Sequence, residues 1–491
     1  MKPIENKIML ITYGNTLGKN LTELKDNLKK YIPSNAIGGL HILPFYPSSG
    51  DRGFAVINYD IVDPSLGTWD DIDELGSQYY LMADFMLNHV SIRCHEFKDY
   101  MEHGDASPYH DMFIDWHRFW PEGEPSEEDR KKLYCRKPTL PKKDFVRKDG
   151  KTVSLWNTFF EEQIDIDPYA KSTQDYYTRN LSRIASHVPL IRFDAFAYTS
   201  KKPGTSCFFV EPDIWNILDL SMRTLRKTHT EMLAEIHENY TIQLKMANHG
   251  YWVYDFALPM LLLHAIKSGR TDRLIHWLNI CPKNQFTTLD THDGIGVVDV
   301  VDLLNMDEID IVRKDVDDII QDVKPYLRFP SMIKTDDGKT QLYQLSCTYY
   351  SALRCNDNDY LLARAIQFFT PGIPQVYYVG MLAGENDTEA LKRGEEPRSI
   401  NRHTYSEEEI AAAVEKKVVK KLFKLMEFRN NYPAFNGNMD TNQVDGPSHD
   451  LRITWRKDNY QCTLQCNMHA REFSITYYDP VENTIKNLEE L

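Results

Sequence analysis

Eight short apolar runs that alternate with stretches of helical spacing constrain the fold of this chain more than any other feature. The runs are rich in β-branched and aromatic residues and span 8–13, 39–43, 81–84, 190–194, 232–235, 252–255, 286–290 and 373–378. Strands of this kind separated by helices form parallel βα units, and eight such units close into a barrel. The sequence therefore predicts an α/β protein built on a (β/α)8 TIM barrel.

Two gaps between the predicted strands are too long to be helices alone. The first, 89–167, is rich in Trp, Pro, Lys and Asp; the second, 294–358, contains a loop at Gly338–Gln344. Loops that follow barrel strands lie at the catalytic face, so both gaps predict inserted subdomains there. The alternating pattern near the carboxyl terminus predicts a small β-domain. The expected division is a barrel of 1–88, 168–293 and 359–435, inserted subdomains 89–167 and 294–358, and a C-terminal β-domain 436–491.

The composition is that of an ordinary globular protein, with 42% hydrophobic and 26% charged residues. The formal net charge of −15 argues against nucleic acid or an anionic membrane as the main partner, because both need an extended basic face.

No apolar run approaches the roughly 20 residues of a membrane span. The first strand begins too early to leave room for a signal peptide. Since the eight cysteines are scattered, without zinc-site spacing, we expect reduced thiols and a cytoplasmic location.

Three acidic residues, Asp194, Glu235 and Asp293, lie at or just beyond the carboxyl ends of three predicted strands. This end of a barrel strand faces the mouth of the active site. Retaining cleavage of a glycosidic bond needs one carboxylate that attacks and one protonated carboxyl that donates. Each acid taken singly is more often a structural or capping residue. The three together indicate chemistry on a sugar acetal.

Neighbouring residues suggest which acid does what. Arg192 precedes Asp194 by two residues, on the same side of the strand, and favours an ionised nucleophile. Glu235 follows three apolar residues, whose desolvation favours a neutral carboxyl, and His237 comes shortly after it. We therefore expect Asp194 to be the nucleophile and Glu235 the acid/base.

Other strand-end segments offer groups that could hold a sugar. Asp293 with His292 would bind hydroxyls and balance the positive charge of an oxocarbenium-like transition state. Asp51, after the second strand, and Arg402, after the eighth, could form a pair that clamps the far hydroxyls. His89 follows the third strand. The alternatives are a satisfied core histidine for His89 and a surface salt bridge for the other two.

Four segments resemble the signature segments of the α-amylase family: Asp84-x-x-x-Asn-His89, Arg192-x-Asp194, Glu235 and His292-Asp293. Longer strings are similar to its sucrose phosphorylase branch: Leu289–Asp299, Thr348–Leu353, Gln375–Gly380 and Ile400–His403. The resemblance extends over nearly the whole chain. It implies double displacement, in which Asp194 attacks an α-glucosyl group and Glu235 protonates the departing fructosyl oxygen. Inorganic phosphate then takes the glucosyl group, giving α-D-glucose 1-phosphate.

The same resemblance implies a set of binding residues. The sugar would contact Asp51, Phe54, His89, Arg192, Tyr198, His237, His292 and Arg402. The phosphate or acceptor side would be formed by Arg136, Lys137, Gln341, Leu342, Tyr343 and Gln344. Family members that bind structural calcium carry Lys-His where this chain has Ala197-Tyr198, so neither a metal nor another cofactor is expected. The sequence does not fix the oligomeric state, and a homodimer is one assembly that it allows.

One departure from the branch concerns the sugar. Members that act on sucrose generally read Leu-Asp-Leu/Ile-Tyr-Gln in the second insertion, and this chain reads Thr340-Gln-Leu-Tyr-Gln344. Losing an anion there disfavours neutral fructose but suits a substrate that carries its own phosphate. Basic residues of the two insertions point the same way: Arg136, Lys137, Lys142, Lys143, Lys148 and Lys339. We therefore favour sucrose 6F-phosphate over sucrose, the alternative being that these cations serve only inorganic phosphate or solvent.

Other functions remain open at this point. A hydrolase or transglucosidase of the family would share the three acids but lack the phosphate-side donors. Phosphorylases of the branch that act on glucosylglycerol or glucosylglycerate would differ mainly in the acceptor loops. A catalytically silent carbohydrate-binding protein would be expected to lose at least one acid, and all three are present.

Overall fold

The computed structural model describes residues 4–327, 331–334, 340–439 and 450–488, with the backbone alone for 331–334, 340 and 341. Its strands are β1 (Met9–Thr12), β2 (Gly39–Ile42), β3 (Tyr80–Met86), β4 (His89–Ser91), β5 (Lys142–Val146), β6 (Thr152–Trp156), β7 (Gln163–Asp165), β8 (Leu190–Asp194), β9 (Glu231–Ala234), β10 (Trp252–Asp255), β11 (Gln285–Thr287), β12 (Ile295–Gly296), β13 (Ser331–Lys334), β14 (Thr340–Leu345), β15 (Ile373–Tyr377), β16 (Asn438–Met439), β17 (Asp450–Lys457), β18 (Tyr460–Asn467), β19 (Glu472–Asp479) and β20 (Thr484–Asn487). Its α-helices are α1 (Leu21–Tyr31), α2 (Trp69–Gln78), α3 (His95–His103), α4 (Trp116–Phe119), α5 (Glu127–Lys132), α6 (Lys171–Ala185), α7 (Asp213–Thr228), α8 (Tyr240–Asn248), α9 (Leu258–Ser268), α10 (Asp272–Ile280), α11 (Met306–Ile319), α12 (Tyr349–Ala352), α13 (Asp357–Phe369), α14 (Tyr378–Met381), α15 (Thr388–Lys392), α16 (Glu407–Val414) and α17 (Lys417–Asn431).

Eight parallel strands close into a barrel in the order β1-β15-β11-β10-β9-β8-β3-β2. They coincide with the eight strands predicted from the sequence, so the predicted barrel is confirmed. Almost every residue of these strands is buried, which explains why they read as continuous apolar runs rather than as alternating ones. β9 ends at Ala234 and β11 at Thr287, so Glu235 and Asp293 follow their strands.

The inside of the barrel changes character along its axis. Apolar side chains from most of the barrel strands fill one end as a separate buried cluster: Met9, Tyr80, Met82, Leu190, Leu233, Tyr254, Phe256, Phe286 and Ile373. A layer of buried polar side chains lies next to this cluster, nearer the carboxyl ends of the strands, and in it His41 Nε2 lies 2.7 Å from Asp84 Oδ2. The candidate site lies directly above this polar layer.

The chain between β3 and β8 carries two small antiparallel sheets, β4-β7 and β5-β6. A cluster of tryptophans, Trp116, Trp120 and Trp156, fills its interior. Lys201, which follows β8, donates to Asn88 at 2.9 Å and lies 2.8 Å from the Asp165 carboxylate. Because β7 ends at Asp165, this buried lysine ties the insertion to the barrel.

The chain between β11 and β15 forms a three-stranded sheet in the order β12-β14-β13 and the helix α11. We predicted a loop at Gly338–Gln344, but residues 340–345 are the strand β14. Its antiparallel pairing with β12 and β13, which the sequence pattern did not reveal, explains the difference. Gly338 and Lys339 lie outside the described residues.

The last part of the chain forms a five-stranded antiparallel sheet, β16 to β20. Ile453, Leu464 and Ile475 from three of its strands are buried on one face, and the Trp455 indole donates to the Phe369 carbonyl at 2.8 Å. The sheet therefore packs against α13 of the barrel. Within the described ranges, no helix combines the length and the apolar character needed to span a bilayer. The residue numbers that divide the chain into domains remain a prediction.

Candidate active site

A cavity of about 390 Å³ opens at the carboxyl ends of the barrel strands. Most of the predicted site residues line it: Asp51, Phe54, His89, Arg136, Lys137, Asp194, Tyr198, Glu235, His237, His292, Asp293, Tyr343, Gln344 and Arg402. Arg192 is not part of the wall but lies directly behind it. Leu342 is also absent from the wall, and the side chain of Gln341 lies outside the described residues. The structure thus brings together nearly all the residues that the sequence singled out.

Asp194 ends β8 and shares a buried guanidinium with other acids. Arg192 Nη1 donates to Asp194 Oδ1 at 2.9 Å and also to Asp84. Burial raises the pKa of Asp194, and Arg192 opposes this rise by stabilising the carboxylate. His41 supports the arrangement from below, because it holds the second oxygen of Asp84.

Glu235 faces the same guanidinium from the neighbouring strand. Its Oε1 lies 4.0 Å from Arg192 Nη2 and 3.8 Å from His237 Nε2. Its Oε2 accepts a hydrogen bond of 3.2 Å from the backbone N–H of Ala195, whose φ of 53° is left-handed. The carboxyls of Asp194 and Glu235 therefore flank one cation within a single cavity, an arrangement suited to paired acid and nucleophile chemistry.

Asp293 is held by a residue that the sequence analysis missed. Arg398 Nη1 lies 2.6 Å from Asp293 Oδ1, whereas Arg402 Nη2 is 4.0 Å away. Burial acts to raise the pKa of Asp293, but Arg398, the histidines and Arg402 together hold it well below the usual range. The signal for Arg398 was its place four residues before Arg402, in the segment that follows the eighth strand.

The predicted pairing of Asp51 with Arg402 is looser than a direct ion pair. Asp51 Oδ2 accepts from Gln163 Nε2 at 3.3 Å, while Arg402 Nε donates to the His292 carbonyl at 2.8 Å. Burial raises the pKa of Asp51 to about 6, and the positive charge of Arg402 acts against that rise. Gln163, which also lines the cavity, is a second residue that the sequence analysis did not find.

Phe54 forms an aromatic wall of the cavity. Its ring stacks on His292 with centroids 4.9 Å apart and an angle of 6° between the planes. His89 contacts the Phe54 carbonyl through Nε2 at 3.1 Å. Phe54 and His292 are thus fixed as a flat surface beside the carboxylates.

Several buried polar atoms of residues that line the cavity have no hydrogen-bond partner among the described residues. They are His89 Nδ1, Arg136 Nη1, Tyr198 Oη, His237 Nε2, His292 Nδ1 and Arg402 Nη1. Leaving a polar group buried without a partner costs about 1–3 kcal/mol. A ligand rich in hydroxyl or phosphate oxygens would satisfy such groups.

The outer part of the cavity is built by both insertions. The Arg136 guanidinium lies over the Tyr343 ring, 3.7 Å from its centroid, and Tyr343 lies edge-on to His237 with centroids 5.8 Å apart. Lys137 donates to Asn157. Burial lowers the pKa of Lys137, against the pull of Asp165 and Glu161. Two cationic side chains of the first insertion therefore reach the cavity.

The other lysines of this region are engaged elsewhere. Lys142 pairs with Glu124 at 2.9 Å, and the partners of Lys143 and Lys148 are Glu161 and Glu102. Lys339 lies outside the described residues. Of the basic residues of the two insertions that the structure describes and that were named from the sequence, Arg136 and Lys137 are the two that line the cavity.

One group of described side chains could coordinate a cation. Glu235, His237 and Asp293 offer ligand atoms that lie within 4.8 Å of one another. His237 Nδ1 is 3.2 Å from Asp299 Oδ2, which leaves Nε2 directed at the two carboxylates. The same three groups are also well placed to hold sugar hydroxyls.

The chain has clear relatives among known proteins. Residues 15–185 match the family model described as Alpha amylase, catalytic domain. A sucrose phosphorylase of Streptococcus mutans is 50% identical over 435 residues, or 88% of this chain and 89% of that protein. A sucrose 6(F)-phosphate phosphorylase of Thermoanaerobacterium thermosaccharolyticum is 42% identical over 494 residues, or 99% of each chain. The crystal structure of sucrose 6F-phosphate phosphorylase from Thermoanaerobacter thermosaccharolyticum aligns with a TM-score of 0.92 at 41% identity, over 99% of this chain and 98% of that one.

Proposed function

Since this chain belongs to the α-amylase family, we propose that it is a retaining phosphorylase that transfers the α-glucosyl group of a sucrose-type sugar to inorganic phosphate. The observation that carries this proposal is the joint presence, in one cavity, of paired carboxyls and of cationic donors. Asp194 and Glu235 flank the Arg192 guanidinium, and Arg136 and Lys137 line the outer wall. A hydrolase that acts on a neutral sugar would need the carboxyls but not these cations.

In the first step Asp194 attacks the anomeric carbon of the bound glucosyl group. The bond from that carbon to the fructosyl oxygen breaks, and Glu235 gives its proton to the departing oxygen. Arg192 stabilises the anionic form of Asp194 that attacks, against the rise in pKa that burial causes, and Phe54 presents its ring to the oxocarbenium-like centre. The product of this step is a glucosyl ester of Asp194.

In the second step an oxygen of inorganic phosphate attacks the same carbon from the side that fructose has left. The bond to Asp194 breaks, Glu235 takes the proton of the phosphate, and α-D-glucose 1-phosphate is released. A phosphate beside three carboxylates needs compensating positive charge. The Arg136 guanidinium, with one buried unpartnered nitrogen, and the His237 imidazole offer donors on this side.

For the sugar we propose sucrose 6F-phosphate, with sucrose as the second candidate. The first is supported by cationic Arg136 and Lys137 at the cavity wall and by Gln341 in place of the acidic residue that grips fructose in the branch. A phosphorylated sugar gains charge-assisted hydrogen bonds from such a wall, whereas neutral fructose gains little. Sucrose is favoured by the 50% identity with the Streptococcus mutans enzyme.

The choice can be tested by measuring kcat/KM for both sugars with the wild-type protein and with Arg136→Ala. We expect wild type to prefer sucrose 6F-phosphate, and Arg136→Ala to lose at least about tenfold more on that sugar than on sucrose, as for a lost charge-assisted contact. The matched control is Lys142→Ala, because Lys142 pairs with Glu124 and is not part of the cavity wall. Equal losses on both sugars would show that Arg136 serves inorganic phosphate alone and not the phosphate of the sugar.

A further inference from the structure

Arg398 makes a bridge that the reaction scheme above does not use. It lies in a short 3-10 helix, Pro397–Asn401, which follows the last barrel strand. One guanidinium nitrogen, Nη1, is 2.6 Å from Asp293 Oδ1, and the other, Nη2, donates to Gln344 Oε1 at 2.9 Å. The side chains of Arg398 and Asp293 are 27% and 20% exposed, and both line the cavity.

The two partners of Arg398 belong to different parts of the site. Asp293 follows β11 of the barrel and contacts the histidines beside the glucosyl position. Gln344 is buried on β14, next to Tyr343, on which the Arg136 guanidinium lies. The strand β14 pairs with β12 and β13 rather than with any barrel strand. Arg398 is thus a direct polar link between the acceptor-side strand and a site carboxylate.

Resting on the proposed function, we infer that Arg398 is a positioning residue that holds the Gln344 side chain in a fixed position relative to the Asp293 carboxylate, so that phosphate rather than water takes the glucosyl group. Phosphate must find Arg136, Tyr343 and Gln344 at fixed distances from the anomeric carbon, because its several oxygens need several donors at once. A water molecule that attacks the same carbon needs only a small space near Glu235. A displaced Gln344 side chain therefore harms the attack of phosphate more than that of water.

The chemistry of the side chain supports a bridging role. A planar guanidinium can donate to two acceptors on different elements with fixed geometry, whereas a lysine ammonium is a single charged point. If Arg398 served only as a counter-charge for Asp293, lysine would replace it well. If the bridge to Gln344 matters, lysine would restore activity only in part.

The test is the partition of the glucosyl-enzyme between phosphate and water. Wild type, Arg398→Gln and Arg398→Lys are supplied with donor sugar at fixed inorganic phosphate, and glucose 1-phosphate and free glucose are quantified. Both products come from one intermediate, so their ratio cancels every loss in the first step. We expect Arg398→Gln to lower the ratio of glucose 1-phosphate to glucose roughly tenfold, as for a lost charge-assisted hydrogen bond, and Arg398→Lys to recover it only partly.

Matched controls separate the bridge from general effects. Arg393→Gln removes an exposed arginine that pairs with Glu395 on the same segment, and its ratio should equal that of wild type. Gln344→Met removes the other end of the bridge without touching Asp293, and the double variant Arg398→Gln/Gln344→Met should lower the ratio no further than the stronger single variant, whereas two independent contacts with phosphate would add. Gln344→Met also keeps the inference testable if Arg398→Gln fails to fold.

The outcomes distinguish this inference from the function on which it rests. A ratio unchanged in both Arg398→Gln and Gln344→Met, with glucose 1-phosphate still formed by wild type, overturns the bridge alone. Full recovery by Arg398→Lys also overturns it, because charge then suffices. Absence of glucose 1-phosphate from the wild-type reaction overturns the proposed function and this inference together.

Discussion

At the residue scale, the buried guanidinium of Arg192 organises the two central carboxyls. It donates to Asp194 at 2.9 Å and lies 4.0 Å from Glu235. The backbone N–H of Ala195, the residue that follows Asp194 just beyond β8, adds a donor to Glu235. The proposed nucleophile and the proposed acid/base are therefore positioned by shared groups, and a change at either is expected to affect a specific step rather than the fold.

Glu235→Gln tests the acid/base role. The variant cannot protonate a leaving oxygen, so we expect turnover of the natural sugar to fall by about 10²–10⁴-fold. A donor with a leaving group that needs no proton, such as α-D-glucosyl fluoride, should lose much less in the first step. The measurement is single-turnover release of fluoride compared with release of the fructosyl product. An equal loss with both donors would show that Glu235 does not act as the acid.

The type of each site residue, and the segment in which it lies, explain which site residues could be predicted from the sequence. Acids at strand ends are visible because strands are recognisable and because Asp194, Glu235 and Asp293 each end one or follow it closely. Arg398 and Gln163 were missed because they lie in segments without periodicity, where only the folded chain shows what a side chain reaches.

At the scale of elements, Lys201 fixes the first insertion to the barrel. Its ammonium group lies between Asn88 and Asp165, and its side chain is only 3% exposed. The pairing of β4 with β7 places Asp165 opposite His89. The lysine thus supports the segment that carries a cavity residue.

Lys201→Met should therefore destabilise the protein by about 3–5 kcal/mol, because the buried Asp165 carboxylate loses its counter-charge. We expect a lower midpoint of thermal unfolding in scanning calorimetry under one fixed scan rate. Lys202→Met changes the exposed neighbour and should leave the midpoint near that of wild type. A midpoint for Lys201→Met that matches wild type would show that the buried pair does not hold the insertion.

Elements differ in how well the sequence predicts them. The barrel strands were predictable because each is a short run buried on nearly every residue. The strand β14 was not, since residues 340–345 acquire a strand conformation through pairing with β13, the strand before it, and with β12, which lies much earlier in the sequence. The 3-10 helix that carries Arg398 has no sequence pattern of its own.

At the scale of the whole molecule, the cavity exists because two insertions meet above one barrel. Arg136 comes from the first insertion and Tyr343 from the second, and the contact between them closes this side of the cavity. In the proposed reaction, neither insertion alone would define the position of phosphate. The pattern of the sequence predicted that both would overhang the barrel, but not which residues would touch. The homodimer and the cytoplasmic location stay predictions.

The proposed phosphorolysis requires that the product depend on inorganic phosphate. Purified protein is incubated with sucrose 6F-phosphate or sucrose, with and without phosphate, and glucose 1-phosphate and glucose are separated and quantified; Asp194→Asn serves as the inactive control. We predict that α-D-glucose 1-phosphate is the main product, that it forms only with phosphate, and that Asp194→Asn forms neither product at a comparable rate. Free glucose as the main product, at a rate independent of phosphate, would show that the protein is a hydrolase and not a phosphorylase.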